Sequence, residues 1–192
     1  MHAFLLSFGI IFVAEMGDKS QLMAMTFATR YKPLPILVGI TLATAAVHAV
    51  SVLVGAVIGA NLPTATISIV AGIAFLGFAA WTLRGDELDE DEAAKVDRES
   101  RPAVVAASIA FFLAELGDKT MLATVTLAST ATALGLVGVW AGSTLGMVAA
   151  DALAILVGAV LGARLPEKAI RIGAAVAFLV FGIILIVQGV RG

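Results

Sequence analysis

The chain has 192 residues, of which 60% are hydrophobic and only 14% are charged, and its net charge at pH 7 is −2. Its mean hydropathy of +1.05 is far above that of an ordinary soluble domain. The small net charge argues against nucleic-acid binding, and the lack of cysteine excludes disulfides, thiolate metal sites and cysteine nucleophiles. The composition therefore predicts an integral membrane protein.

Six apolar stretches are long enough to cross a bilayer, which takes a helix of about 20 apolar residues. Proline or polar residues separate them from one another. The first stretch lacks the basic region and cleavage site of a secretory signal, so we expect it to be retained as a span. The six predicted spans cover residues 4–29, 36–60, 66–84, 103–128, 134–162 and 168–190.

The second half of the chain repeats the first. Residues 12–20 (FVAEMGDKS) recur at 112–120 (FLAELGDKT), and a second similar pair, VGAxxGAxLP, begins at positions 54 and 157. Because three crossings per repeat is an odd number, the second repeat starts on the opposite side of the membrane from the first. We therefore predict an all-α integral membrane fold with six transmembrane helices arranged as two inverted three-helix repeats. The repeats are residues 1–84 and 103–192, joined by an acidic cytoplasmic linker at 85–102.

The orientation follows from the lysines and arginines between the spans. They concentrate after the first, third and fifth predicted spans, whereas the other side holds only Arg191. Positively charged loops favour the cytoplasmic side of a membrane. We therefore expect those three loops in the cytoplasm and both termini on the outer side.

One hexapeptide, EMGDKS at 15–20 and ELGDKT at 115–120, places charges in the middle of apolar spans. A charge at a helix centre costs about 2.5–3.5 kcal/mol on insertion scales, so it needs a partner, a proton or a hydrated cavity. The two acids of each copy are three residues apart and should share a helix face. Antiparallel spans would bring all four carboxylates together, and oxygen-rich clusters suit hard divalent ions such as Ca²⁺, Mg²⁺ and Mn²⁺. The predicted metal ligands are Glu15, Asp18, Glu115 and Asp118.

The lysines and glycines of the hexapeptide each leave two interpretations open. Lys19 and Lys119 lie four residues after the glutamates, which predicts internal salt bridges or counter-ions that move aside when metal binds. Gly17 and Gly117 indicate either local unwinding that frees carbonyls for an ion, or a close helix crossing.

Nearby polar and sulfur-containing residues are candidates for supporting roles. Additional ligands could come from Ser20, Gln21, Thr120 and Met121, although hydroxyls often bond to helix carbonyls and methionine often only packs. His48 and Asp151 occupy equivalent positions in the repeats and could form a proton relay, or each could bond locally to a Ser or Thr. Glycines at four-residue spacing, such as Gly138, Gly142 and Gly146, indicate close helix packing.

The two E-x-G-D-K-[S/T] motifs, each near the start of a three-helix repeat, resemble the calcium/manganese:proton exchanger family of the lysine-exporter superfamily. The resemblance covers essentially the whole chain and is greatest to the short bacterial members. It implies export of divalent cations, Mn²⁺ above all or Ca²⁺, in exchange for protons by alternating access. It also implies that the four motif acids bind metal and protons, and that the protein lies in a bacterial inner membrane.

Other functions compete with this interpretation. The principal alternative is an exporter of amino acids or other small organic cations, because carboxylates also bind ammonium groups. An intramembrane hydrolase is disfavoured, since the sequence has neither a serine nucleophile elbow nor a metalloprotease histidine pair. We expect no catalytic residues, no cofactor and no nucleic-acid partner. The expected partners are a divalent metal ion and the lipid bilayer, and the oligomeric state is left open, with a homodimer as one alternative.

Overall fold

The computed structural model of the chain describes residues 1–29, 31–84, 102–161 and 167–191. Almost all of the described residues are helical, and the predicted linker at 85–102 lies outside them except for Pro102. The helices are α1 (His2–Glu15), α2 (Lys19–Ala28), α3 (Pro33–Asn61), α4 (Thr64–Arg84), α5 (Ala103–Glu115), α6 (Lys119–Ser129), α7 (Ala133–Leu161) and α8 (Glu167–Arg191).

Four of these helices are long and apolar enough to cross a membrane. The qualifying segments have mean hydropathies from 1.6 to 2.5. Helices α1 and α5 are also apolar, but at 14 and 13 residues they are shorter than a bilayer-crossing helix. The described part of the chain is therefore all-helical, and its long apolar helices are those of an integral membrane protein. The four qualifying segments are Pro33–Asn61, Thr64–Arg84, Ala133–Val157 and Ile172–Arg191.

The first and fourth predicted spans are not continuous helices. The prediction of single helices over 4–29 and 103–128 is wrong, because each is interrupted by three non-helical residues, at 16–18 and at 116–118. The other four predicted spans match α3, α4, α7 and α8 to within three residues at each end. Both interruptions fall inside the repeated hexapeptide.

The distribution of side chains suits a lipid environment. On α3, Leu53 and Val57 are 68% and 64% exposed, whereas Thr44 and Ser51 on the same helix are completely buried. Water-soluble proteins seldom expose apolar surface on this scale, and they bury few polar groups. The middle of α3 therefore turns apolar side chains outward and buries polar ones.

Close helix contacts occur at equivalent positions of the two halves. A Cβ at Gly39 of α3 would lie 2.7 Å from the carbonyl oxygen of Val104 and 3.1 Å from the amide nitrogen of Ser108, both in α5. A Cβ at Gly142 of α7 would meet the corresponding two backbone atoms of Phe4 and Phe8 in α1. Gly39 and Gly142 are equivalent in the sequence repeat, as are Val104 and Phe4.

The four-residue glycine spacing does serve helix packing, as the sequence predicts. Gly138 and Gly146 extend the contact of Gly142 with the backbone of α1, and Gly55 and Gly59 lie against α6. Glycine lets helix backbones approach closely where lipid supplies no hydrophobic drive to associate. The surroundings of Gly158 and Gly162 lie outside what the structure describes.

Helices α4 and α8 pack on each other. Gly72 and Gly182 bring their backbones together, because a Cβ at either would lie less than 3 Å from the other's carbonyl oxygen. Phenylalanine rings fill the adjoining space, and the ring centroids of Phe75 and Phe181 lie 4.8 Å apart. Helix α4 is the last helix of the first half of the chain, and α8 is the last helix of the second half.

Candidate cation site

The interruption between α1 and α2 is a type II β-turn. Met16 has φ −62° and ψ 121°, and Gly17 follows with φ +76°. The amide of Asp18 donates a hydrogen bond of 3.1 Å to the carbonyl oxygen of Glu15, which closes the turn. A type II turn requires positive φ at its third residue, and glycine adopts that conformation without steric cost. Local unwinding at Gly17 is thus confirmed.

The second copy of the hexapeptide forms the same turn. Leu116 has φ −65° and ψ 113°, Gly117 has φ +79°, and the amide of Asp118 donates to the carbonyl oxygen of Glu115 at 3.2 Å. Each glutamate is therefore the last residue of one helix, and each aspartate immediately precedes the next. The expectation that the two acids share one helix face is wrong, because the turn separates them.

Gln21 and Met121, at equivalent positions, both stabilise the turn glycine. The amide of Gly17 donates to Oε1 of Gln21 at 2.7 Å, and the amide of Gly117 lies 3.2 Å from Sδ of Met121. Gln21 also donates through Nε2 to the carbonyl oxygen of Ala150 in α7, at 2.8 Å. Both were predicted as auxiliary ligands, and the structure places both at the turn itself.

Each motif glutamate is held by the hydroxyl that ends its own motif. Ser20 donates to Oε1 of Glu15, and Thr120 donates to Oε2 of Glu115 at 2.7 Å. These hydroxyls were predicted to add ligands or to bond to helix carbonyls. They instead fix the orientation of a carboxylate across the turn.

The motif aspartates occupy helix N-cap positions but do not cap. Neither Asp18 nor Asp118 accepts a side-chain hydrogen bond from the first turn of the helix that follows. An aspartate N-cap stabilises a helix by about 1 kcal/mol, so this contribution is forgone. Both side chains are buried in the protein interior, at 2% and 6% exposure.

Lys119 pairs with an acid of the other repeat. Its ammonium forms an ion pair with Oδ1 of Asp18, and Lys119 is only 2% exposed. The predicted salt bridge between Lys119 and Glu115 assumed a continuous helix, in which residues four apart are neighbours. Because the turn separates Lys119 from Glu115, the predicted partner of Lys119 is wrong. Lys19 is half-buried and forms no ion pair with any residue that the structure describes.

The structure brings acids of both motifs together. Glu15 and Glu115 are 0% and 1% exposed and interact electrostatically with each other and with Asp18. Asp118 interacts with Glu115. Carboxylates of both repeats thus share one buried region, next to the ammonium of Lys119.

Asp151 of α7 belongs to the same region, and His48 has a different environment. Asp151 is fully buried and interacts electrostatically with Asp18, Glu15 and Glu115. The Nδ1 atom of His48 in α3 lies 3.3 Å from Oγ1 of Thr144 in α7. His48 therefore has a threonine partner, as one of the two interpretations predicts, but on another helix.

Several carboxylate oxygens retain unused hydrogen-bonding capacity. Among the described residues, Oε2 of Glu15, Oε1 of Glu115 and both oxygens of Asp151 are buried without a hydrogen-bond partner. Within this same part of the chain, no three His, Asp or Glu residues have the arrangement of a metal site. Buried oxygens of this kind are costly unless a cation or a proton satisfies them.

Comparison with known protein families indicates which class of transporter has such a site. The profile of the family described as divalent cation/proton antiporter GDT1 matches residues 3–90 and 103–192. The chain belongs to the GDT1 family. It is therefore a membrane transporter that exchanges divalent cations for protons, which argues against the alternative of an amino-acid exporter.

Individual relatives of this GDT1 chain come from bacteria and plants. It is 40% identical over 173 residues to a candidate manganese exporter of Vibrio cholerae, covering 89% of this chain and 84% of the relative. It is 31% identical over 202 residues to a GDT1-like protein of Synechocystis, covering 96% of each chain. Identity to the chloroplast protein PAM71 of Arabidopsis thaliana is 31% over 211 residues, covering 95% of this chain and 56% of PAM71. No solved structure matches the chain.

Proposed function

We propose that the chain exports Mn²⁺ across a bacterial inner membrane in exchange for protons, and that Ca²⁺ is its second cargo. The cation binds to Glu15, Asp18, Glu115 and Asp118. The observation that carries this proposal is the burial of acids from both helix breaks in one region, where Asp18 of one repeat meets Lys119 of the other. The relative from Vibrio cholerae, named for manganese export, supports the choice of Mn²⁺ and of the outward direction.

Six membrane crossings in two inverted repeats are the architecture that suits this function. In each repeat the interrupted helix pair makes one crossing. At about 1.5 Å per residue, the 14 and 10 residues of α1 and α2 together are longer than a hydrocarbon core of roughly 30 Å. The matched glycine contacts of α3 with α5 and of α7 with α1, and the family matches to both halves, support this arrangement.

The helix breaks supply oxygen ligands besides the carboxylates. The last carbonyl groups of a helix lack amide partners within that helix, and both α1 and α5 end at a motif glutamate. Broken helices of secondary transporters use such carbonyls to coordinate cations near the middle of the membrane. Carboxylate and carbonyl oxygens together form a donor set that suits a hard divalent ion such as Mn²⁺.

Proton exchange follows from charge balance in a buried region. Without a cation, clustered carboxylates are tolerated only when protons or the lysine offset their charge. When a divalent ion enters from the cytoplasm, it displaces protons, and protons from the outer side displace it after the repeats have moved. Asp151 exchanges protons with the motif acids in this mechanism, and its electrostatic interactions with Asp18, Glu15 and Glu115 support that role.

A flux assay in proteoliposomes tests the proposal. Purified protein is reconstituted, a pH gradient is imposed, and Mn²⁺ movement is followed with an internal fluorescent indicator. Wild-type protein should drive Mn²⁺ uphill, and Glu15→Gln and Asp118→Asn should reduce the flux to that of empty liposomes. Glu90→Gln, which removes a similar charge from the acidic linker, is the matched control and should transport normally.

Two results of this assay would contradict the proposal. One is undiminished pH-driven Mn²⁺ flux in the Glu15→Gln and Asp118→Asn proteins when both elute as folded, monodisperse species. The other is inhibition of the flux by excess lysine but not by Ca²⁺, which would restore the organic-cation alternative.

A further inference from the structure

Lys119 of the second repeat contacts the proposed cation site at Asp18, which belongs to the first repeat. Its ammonium forms a buried ion pair with Asp18, and it lies within electrostatic range of Glu15. Lys119 is also the first residue of α6, where the positive end of the helix dipole disfavours a cation. The helix that carries Lys119 therefore does not stabilise its charge, and carboxylates of the first motif contribute stabilisation instead.

The equivalent lysine of the first motif shows that this ion pair is not a requirement of the sequence motif. Lys19 also begins its half-helix, yet it is half-buried and forms no ion pair among the residues that the structure describes. One hexapeptide thus presents its lysine in two different environments. The difference indicates that a motif lysine can exist with or without an acidic partner.

We propose that Lys119 is an internal counter-ion that competes with the transported cation for Asp18. The inference rests on the proposed function and concerns the same site. The ammonium neutralises Asp18 when no cation is bound, leaves when a divalent ion enters, and returns as the ion departs. Lys119 thereby keeps the empty carrier stable and speeds release of the cargo.

Lys119 and the divalent ion compete for Asp18 because both are positively charged and because the lysine side chain can move away. A divalent ion bound to Asp18 and an ammonium bonded to the same carboxylate would repel each other strongly in a low-dielectric interior. The lysine stem has four flexible carbons, so the ammonium can withdraw without movement of the α6 backbone. Arginine at this position would keep the charge and the competition.

Direct binding measurements test the inference. Mn²⁺ affinity is measured by isothermal titration in detergent at pH 8, where protons compete least, for wild type, Lys119→Gln and Lys119→Arg. Lys119→Gln should bind Mn²⁺ about tenfold tighter, a change within the usual range for the coupling between two binding events on one protein. It should also show a lower KM and a lower maximal flux, whereas Lys119→Arg should bind with nearly wild-type affinity.

Lysine variants elsewhere serve as matched controls. Lys32→Gln removes an exposed lysine at the start of α3 and should leave the affinity unchanged. Lys19→Gln should alter the affinity less than Lys119→Gln does. If Lys119→Gln does not fold, Lys119→Met keeps a long apolar stem and gives the same readout.

The outcomes separate this inference from the proposed function. Equal or weaker Mn²⁺ binding by folded Lys119→Gln or Lys119→Met protein overturns the counter-ion role. If Asp18→Asn loses Mn²⁺ binding in the same experiment, the proposed cation site still stands. If Asp18→Asn binds Mn²⁺ as tightly as wild type does, the site assignment itself is wrong.

Discussion

Ser20 donates a hydrogen bond to Glu15 although the two residues lie in different helices, on either side of a type II turn. Thr120 and Glu115 repeat the relationship in the second motif. The turn folds the chain back enough for a side chain to reach a carboxylate five residues earlier. One oxygen of each glutamate is thereby fixed, and the other is directed to the buried interior without a hydrogen-bond partner among the described residues.

Removal of these hydroxyls is expected to slow transport. Ser20→Ala and Thr120→Val should each lower pH-driven Mn²⁺ flux by about threefold to tenfold and stability by about 1 kcal/mol, because each loses one hydrogen bond that orients a ligand. Flux in proteoliposomes and thermal unfolding in detergent provide the two measurements. The controls are Ser51→Ala and Thr124→Val, whose hydroxyls donate to helix carbonyls. Similar flux in all four variants would show that the hydroxyls do not position the glutamates.

Alanine at the turn glycines is expected to reduce transport through backbone strain alone. A Cβ at Gly117 would meet no atom within 4 Å, so space is not the obstacle, but its φ of +79° costs a non-glycine residue about 1–2 kcal/mol. Gly9 and Gly77 also have open space, and neither has positive φ. Gly117→Ala should therefore lose flux and stability, while Gly9→Ala and Gly77→Ala should retain both. Normal flux in Gly117→Ala would mean that the turn is dispensable.

Asp151→Asn is expected to change the coupling between cation and proton. The variant keeps the shape of the side chain but can neither carry a proton nor bear a charge beside Asp18 and Glu15. Mn²⁺ binding at pH 8 should stay within a few-fold of wild type, and fewer protons should move per Mn²⁺. Simultaneous recording with a pH dye and a Mn²⁺ dye measures that ratio. His48→Gln serves for comparison and should alter the ratio less, since His48 bonds to Thr144. An unchanged ratio in Asp151→Asn would exclude a role in proton exchange.

The proposed orientation can be tested with single cysteines, because the chain contains none of its own. Lys32→Cys should react with a membrane-impermeant maleimide only in inverted vesicles, since it lies in a predicted cytoplasmic loop. Asn61→Cys and Thr130→Cys should react in intact cells. All three positions are exposed in the structure, so a failure to react cannot be attributed to burial in the protein. The reverse labelling pattern would place both termini in the cytoplasm.

The sequence predicts the helical framework well, because long apolar runs and breaker residues determine where helices begin and end. It does not predict the interruption of α1 and α2 as a turn. Met16 and Gly17 continue the apolar run, and a glycine inside a helix is compatible with both a crossing and a break. Only the backbone conformation at Gly17, with φ of +76°, decides between them.

The errors about side-chain partners follow from that one ambiguity. Helical spacing pairs Lys119 with Glu115, but once the helix ends at Glu115 the lysine begins a new helix and reaches Asp18 instead. The roles of Gln21 and Met121 were missed for the same reason, because the glycine amide needs a side-chain partner only at a break. A residue able to accept a hydrogen bond four positions after each motif glycine is the signal that could have revealed both.

The matched contacts of Gly39 and Gly142 mean that each half of the chain carries both surfaces of the contact that joins the halves. In each contact, α1 or α5 contributes backbone atoms, and α7 or α3 contributes the glycine that lets them approach. A single half expressed alone is therefore self-complementary, and two copies of it would pair through both contacts about a two-fold axis.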